Sequence, residues 1–228
     1  VAYLLSFPFL AGVRGGTAHI RKTEGSATQM VLDGFRYVRS SRVLMMLMLV
    51  GGVSAVLTAP YSALLPIYQR DILNVGASGL GLLYAASGLG ALGSSILLAL
   101  ISPERPSPKQ MFVLGIGAGL ALAAFSYSAS FGLSLGILFM VGLGMSGSTI
   151  VNMTLIQNQA PKEMLGRVFS IRMLTWGTVP FGQILLGLVA QLLSPQIALL
   201  GMGLLCAAAM LLLMLRLRWA HMTVEGHA

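Results

Sequence analysis

Four stretches of this chain run without a charged residue: 27 positions between Arg42 and Arg70, 32 between Asp71 and Glu104, 52 between Lys109 and Lys162, and 43 between Arg172 and Arg216. A helix needs about 20 apolar residues to cross a bilayer core about 30 Å thick. The first two runs therefore fit one span each, and the last two fit two each. With only 9% of its residues charged and 56% hydrophobic, the chain has too little polar surface to cover a soluble globule, so lipid must be the solvent for much of it. The expected fold is an all-α integral membrane protein with six transmembrane helices, at residues 43–67, 77–101, 111–128, 132–157, 168–193 and 196–215. Turn signals separate the paired spans. Ser126-Tyr127-Ser128-Ala129-Ser130 lies between the third and fourth, and Ser194-Pro195 lies between the fifth and sixth.

The cations give the orientation. Arg14, Arg21, Lys22, Arg36, Arg39 and Arg42 crowd the segment before the first span; Arg105 and Lys109 follow the second, Lys162 and Arg167 the fourth, and Arg216 and Arg218 the sixth. All fall on one side, while the other side has only Arg70 beside Asp71. By the positive-inside rule the basic side is cytoplasmic, which makes this a multi-pass protein of the cytoplasmic (inner) membrane with both ends of the chain in the cytoplasm. This topology accounts for the net charge of +8 without invoking nucleic acid. Residues 1–13 are uncharged, too short to span and without a preceding basic region, so they read as the end of an upstream transmembrane helix. Residues 14–42 read as a cytoplasmic linker with an amphipathic helix, on which Val31, Phe35 and Val38 share a face. That helix either lies on the membrane surface or is an ordinary solvated linker. Residues 43–218 form the six-helix domain and 219–228 a cytoplasmic tail.

Enzymatic chemistry is not expected. His19, His221 and His227 lie in the linker and tail, and no metal-binding, phosphate-binding or nucleophile-base pattern stands at credible depth. No cofactor or metal is implied. All six acids (Glu24, Asp33, Asp71, Glu104, Glu163 and Glu225) fall in connectors or tails, so a membrane-embedded carboxylate for proton relay is missing from these spans. Cys206 has no intrachain partner and reads as a small buried hydrophobe.

Neutral polar chemistry remains. Ser54, Thr58 and Tyr61 recur at i, i+4 and i+7 in the first span, and Met145, Thr149 and Asn152 do the same in the fourth. Each set marks one face, suited either to a solute pathway or to hydrogen bonding between helices. Arg172, four residues past Val168, is placed to snorkel to the interface, or else to act as a gate or anion contact. Pro60, Pro66 and Pro180 should kink the first and fifth spans. The glycines of the second, third and fourth spans suit close helix packing or, alternatively, sliding and bending.

Several segments carry a family resemblance. They are Asp33-Gly34-Phe35-Arg36-Tyr37-Val38-Arg39 before the first span, Leu65-Pro66-Ile67-Tyr68-Gln69-Arg70-Asp71-Ile72-Leu73 leaving it, the glycine-rich run from Gly76 to Ala91, and Ala160-Pro161-Lys162-Glu163-Met164-Leu165-Gly166-Arg167-Val168. In order and spacing the chain resembles the major facilitator superfamily, in the branch of siderophore and drug exporters, over helices seven to twelve of a twelve-helix transporter. It departs from the family in lacking a glycine-containing basic signature between the second and third spans, and in having Leu165 where an arginine is frequent. The resemblance implies secondary active export of a drug-like or siderophore-like small molecule by alternating access, with an N-terminal six-helix half as partner. It also implies that the first and fourth spans border a central cavity, beside the second and fifth. Thr58, Tyr61, Tyr84, Thr149, Asn152, Trp176 and Gln183 are then substrate-pathway candidates, and Glu104, Arg105, Arg167 and Arg172 are candidates for gating. The alternatives are a self-contained six-helix protein that dimerises as a channel or carrier, and a non-transporting membrane scaffold.

Overall fold

The computed structural model describes residues 27–101 and 106–225. The described residues are all-helical apart from short connections, and six segments are long and apolar enough to cross a membrane. Helix α1 (Ala27–Ser40) precedes the first span. That span, Arg42–Ile72, begins as α2 (Arg42–Leu57) and continues through a 3-10 stretch (Ala59–Ala63), one turn (Leu65–Ile67) and a π-turn (Tyr68–Ile72). The second, third and fourth spans are α3 (Ala77–Ile101), α4 (Pro108–Phe125) and α5 (Phe131–Gln159). The fifth is divided into α6 (Leu165–Trp176) and α7 (Val179–Leu192), and the sixth opens α8 (Pro195–Glu225). Of the segments expected before the spans, residues 1–26 lie outside the described residues.

Local chemistry moves some boundaries. The third span starts before residue 111 because Ser107 caps it: its hydroxyl accepts from the Lys109 N–H, and its own N–H donates to the Gln110 side chain. Pro108 at the first helical position fits, since its missing N–H would have had no helical partner. The prolines break the first span where they stand. A proline has no N–H to return to the carbonyl four residues back, so Pro60 and Pro66 leave the Val56 and Ser62 carbonyls without their helical donors, and the α-helix ends at Leu57. In the fifth span Pro180 does the same to the Trp176 carbonyl, at the division between α6 and α7.

Apolar side chains gather in two buried clusters, one towards each end of the bundle. The first joins Leu44 and Leu47 to Phe112, Ile156, Val168 and Met210. The second joins Leu65 and Tyr68 to Phe125, Leu138, Leu186 and Leu199. Tyr68 stacks on Phe125 with ring centroids 4.9 Å apart and donates to the Ser126 carbonyl at 3.1 Å, tying the end of the first span to the third. Helix α1 is held outside the bundle: Gly34 rests on the Arg167 carbonyl and Ile171 of α6, and Val38 joins the first cluster, while Phe35, Arg36 and Arg39 stay exposed.

Between helices, backbone meets backbone. A Cβ on Gly142 of α5 would fall on the Ser87 carbonyl of α3, and one on Gly90 would fall on the Phe139 carbonyl, so the second and fourth spans cross through reciprocal glycines. Gly119 and Gly203 seat the third span on the sixth in the same way, and Gly144 meets Leu114 and Ala118 at the crossing of the fourth and third. Lipid supplies no hydrophobic force between helices, so dispersion and Cα–H···O contacts at such crossings hold the bundle. Gly81, Gly88 and Gly117 meet nothing within 4 Å. Gly142→Ala is therefore expected to destabilise the protein by about 1–3 kcal/mol through overpacking, with Gly81→Ala near neutral. Thermal unfolding of the two variants in detergent micelles checks this, and equal losses would count against it.

Candidate functional site

The polar faces of the first and fourth spans meet the fifth between the two apolar clusters. There, Ser54, Ala55 and Ala59 of the first span, Met145 and Thr149 of α5, and Arg172 and Trp176 of α6 line a cleft of about 20 Å³, with Gly51 at its base. Arg172 stands seven residues into α6, about 10 Å along the axis at 1.5 Å per residue. There it lines the cleft beside Ala55, Ala59 and Met145, which stand near the middle of the first and fourth spans.

Arg172 does not run out to the interface, as a snorkelling arginine would. Its side chain is 2% exposed and packs against α2. Gly51 makes the room: a Cβ there would stand 2.7 Å from the guanidinium carbon. The Thr175 hydroxyl fixes the group, accepting from Nη1 at 2.5 Å while donating to the Arg172 carbonyl at 2.7 Å. The guanidinium carbon lies 6.0 Å from the centre of the Trp176 ring, within cation–π range. Its Nε is buried without a partner. Arg70 and Asp71 pair at 3.6 Å on the surface, and no carboxylate among the described residues pairs with Arg172. An arginine at the centre of a membrane helix costs about 2.5–3.5 kcal/mol on insertion scales, and such a charge is a functional feature by default.

The other candidates divide by position. Thr149 and Trp176 line the cleft with Arg172, and Trp176 is 45% exposed. Thr58, one turn above Ser54, is buried and donates to the Ser54 carbonyl at 2.8 Å. Asn152 is buried behind the cleft, where its amide donates to the Leu47 carbonyl at 2.9 Å and approaches the Met111 sulfur, clamping the fourth span to the first. Tyr61 and Tyr84 sit together where the broken part of the first span meets α3. The Tyr84 hydroxyl donates at 2.9 Å to the Ser62 carbonyl, the one that Pro66 leaves without its helical donor. Gln183 is exposed on α7, next to Gly182, which rests against the Val56 carbonyl and the Pro60 ring. Arg167 is half-buried near the base of α6, with Nη1 3.9 Å from the Met164 sulfur. Glu104 and Arg105 lie outside the described residues. Gly51 was absent from the sequence expectation, although its spacing of three and four from Ser54 and Ala55 puts all three on one small-residue face.

The order of spans, the broken first and fifth helices and the cleft between them can be set beside known proteins. The family model of the Major Facilitator Superfamily matches residues 1–181. The chain belongs to that superfamily. It is accordingly a multi-pass membrane protein of a transporter family and not an enzyme. It is 28% identical over 192 residues to the enterobactin exporter EntS of Citrobacter koseri, a match covering 81% of this chain and 45% of the relative. The chain thus spans about half the length of the curated relative it matches. No solved structure matches it.

One interaction in this superfamily chain can be tested as a pair. With Pro66 in place, Tyr84→Phe should cost about 1 kcal/mol, because the Ser62 carbonyl loses its donor. In a Pro66→Ala background a backbone N–H returns to that carbonyl, and the same change should cost much less. A double-mutant cycle of unfolding free energies in micelles reads the coupling; strictly additive costs would contradict it.

Proposed function

We propose that this chain is the C-terminal six-helix half of a secondary active exporter that moves a drug-like or siderophore-like small molecule by alternating access. The observation that carries the reading is the match to an exporter over 45% of that relative's length, by a chain with six spans. Superfamily halves are related by an axis along the membrane normal and bind substrate near the midplane between them. The position of Ala55, Ala59 and Met145 near the middle of the first and fourth spans supports a cleft at that depth. In the apolar windows of the second and fifth spans only 11% of residues are buried, against 44% in the first, third and fourth. The second and fifth spans, which carry Tyr84, Trp176 and Gln183, therefore have the most surface free to meet an N-terminal six-helix half.

In this reading Thr149, Trp176 and Arg172 contact the solute, with Tyr61, Tyr84 and Gln183 along the same pathway. Thr58 and Asn152 shape the pathway from behind. Glu104, Arg105 and Arg167 belong to the cytoplasmic gate. The protein resides in the inner membrane with both ends of this chain cytoplasmic, as the cation distribution supports.

Cells with and without the full-length gene should differ in susceptibility to amphipathic drugs or in the siderophore they secrete, with the deleted strain more susceptible or secreting less. Restoring the gene should reverse the difference. Unchanged susceptibility across a panel of amphipathic drugs, together with unchanged siderophore secretion, would overturn the export reading.

A further inference from the structure

We infer that the cleft at Arg172 binds the anionic head of a ring-bearing solute, with the ring lying on Trp176. The inference rests on the transport reading above and narrows its substrate class. Arg172 is buried with its guanidinium against Gly51, and it lines the cleft together with Ser54 and Thr149. Its Nε has no partner. Nη1 is bonded to Thr175, whose hydroxyl hydrogen is already committed to the Arg172 carbonyl, so Thr175 orients the group without neutralising it. Nε is sealed against Gly51, so the N–H groups left for a carboxylate or similar anion are those at the Nη end of the planar guanidinium.

The size and surroundings of the cleft set the shape of the ligand. A volume of about 20 Å³ has room for little more than a water or an anionic headgroup. The rest of the solute must lie outside, where the Trp176 ring is 45% exposed. An aromatic face beside a cation takes a flat ring by stacking. A bare inorganic anion would leave that face unused, and so would an aliphatic acid. Gly51 is part of the arrangement, because any side chain there would occupy the place of the guanidinium.

The test compares 1-naphthoate with its neutral isostere 1-naphthamide in equilibrium binding to the purified full-length transporter in lipid nanodiscs. The wild type should prefer the anion by about tenfold or more, as loss of a charge-assisted hydrogen bond in a buried site implies. Arg172→Gln should bring the affinity ratio close to one, and Arg172→Lys should keep part of the preference. A wild-type ratio near one would overturn the inference and would mean that the rest of the transporter neutralises the guanidinium internally. A preference that survives Arg172→Gln would overturn it too, placing the anion elsewhere. Should Arg172→Gln fail to fold, the wild-type ratio and the Lys variant still decide. Extrusion of a neutral amphipathic dye from proteoliposomes separates the two levels: extrusion without anion preference sinks this inference alone, and no extrusion of any solute sinks the transport reading with it.

Discussion

At Gly142 the backbone of the fourth span lies directly on the Ser87 carbonyl of the second, and the third and sixth spans are placed by crossings of the same kind. In lipid, two helices gain nothing by exchanging a methyl–lipid contact for a methyl–methyl contact. They gain by approaching closely enough for backbone atoms to touch, which only a residue without a Cβ allows. Gly90 and Gly142 fix the second span on the fourth, Gly144 the fourth on the third, and Gly119 and Gly203 the third on the sixth. The fourth span is therefore the hub, and its polar face is turned towards the first and fifth spans.

The first and fifth spans are joined by a different device. Proline takes a donor away from a carbonyl four residues back, and in lipid that carbonyl cannot turn to water. The Ser62 carbonyl is answered by the Tyr84 hydroxyl, while the Val56 carbonyl is met by the backbone of Gly182 across the interface. Both spans thus break near the level where a solute would sit, and their breaks face each other. The cleft opens beside them, and Arg172 fills the space that Gly51 leaves. A buried cation costs several kcal/mol unless something compensates it. Thr175 and Trp176 provide part of that, and an anion from outside the chain would provide the rest.

Much of this was legible in the sequence because the bilayer imposes a length. Charge-free runs give the six spans, and the prolines mark where the first and fifth depart from regular helix. Helical spacing grouped Ser54 with Thr58 and Tyr61, and Met145 and Thr149 with Asn152; of these, Ser54, Met145 and Thr149 line the cleft. It did not reveal what each face meets. Asn152 shares the period of Thr149 yet reaches round to the Leu47 carbonyl, a partner 105 positions away in the chain. Thr58 is in register with Ser54 but spends its hydroxyl on its own helix. For Arg172 a local signal existed: Thr175 and Trp176 follow at three and four residues, on the same side of the helix. What no spacing shows is that Gly51, 121 positions earlier, leaves the pocket into which the guanidinium folds.

The central claim is that the face shared by Ser54, Thr149 and Arg172 opens to a water-filled pathway and is not sealed against lipid or protein. Cysteine accessibility in the full-length protein tests it, and Cys206, at 1% exposure, should not react. In a background otherwise free of cysteines, Thr149→Cys should react with a membrane-impermeant, charged thiol reagent applied from one side, and a transported solute should slow the reaction. Leu205→Cys, at a position 59% exposed midway along the sixth span, should stay unmodified in lipid. Failure of Thr149→Cys to react from either side of the membrane, in a protein that still folds and transports, would contradict the account.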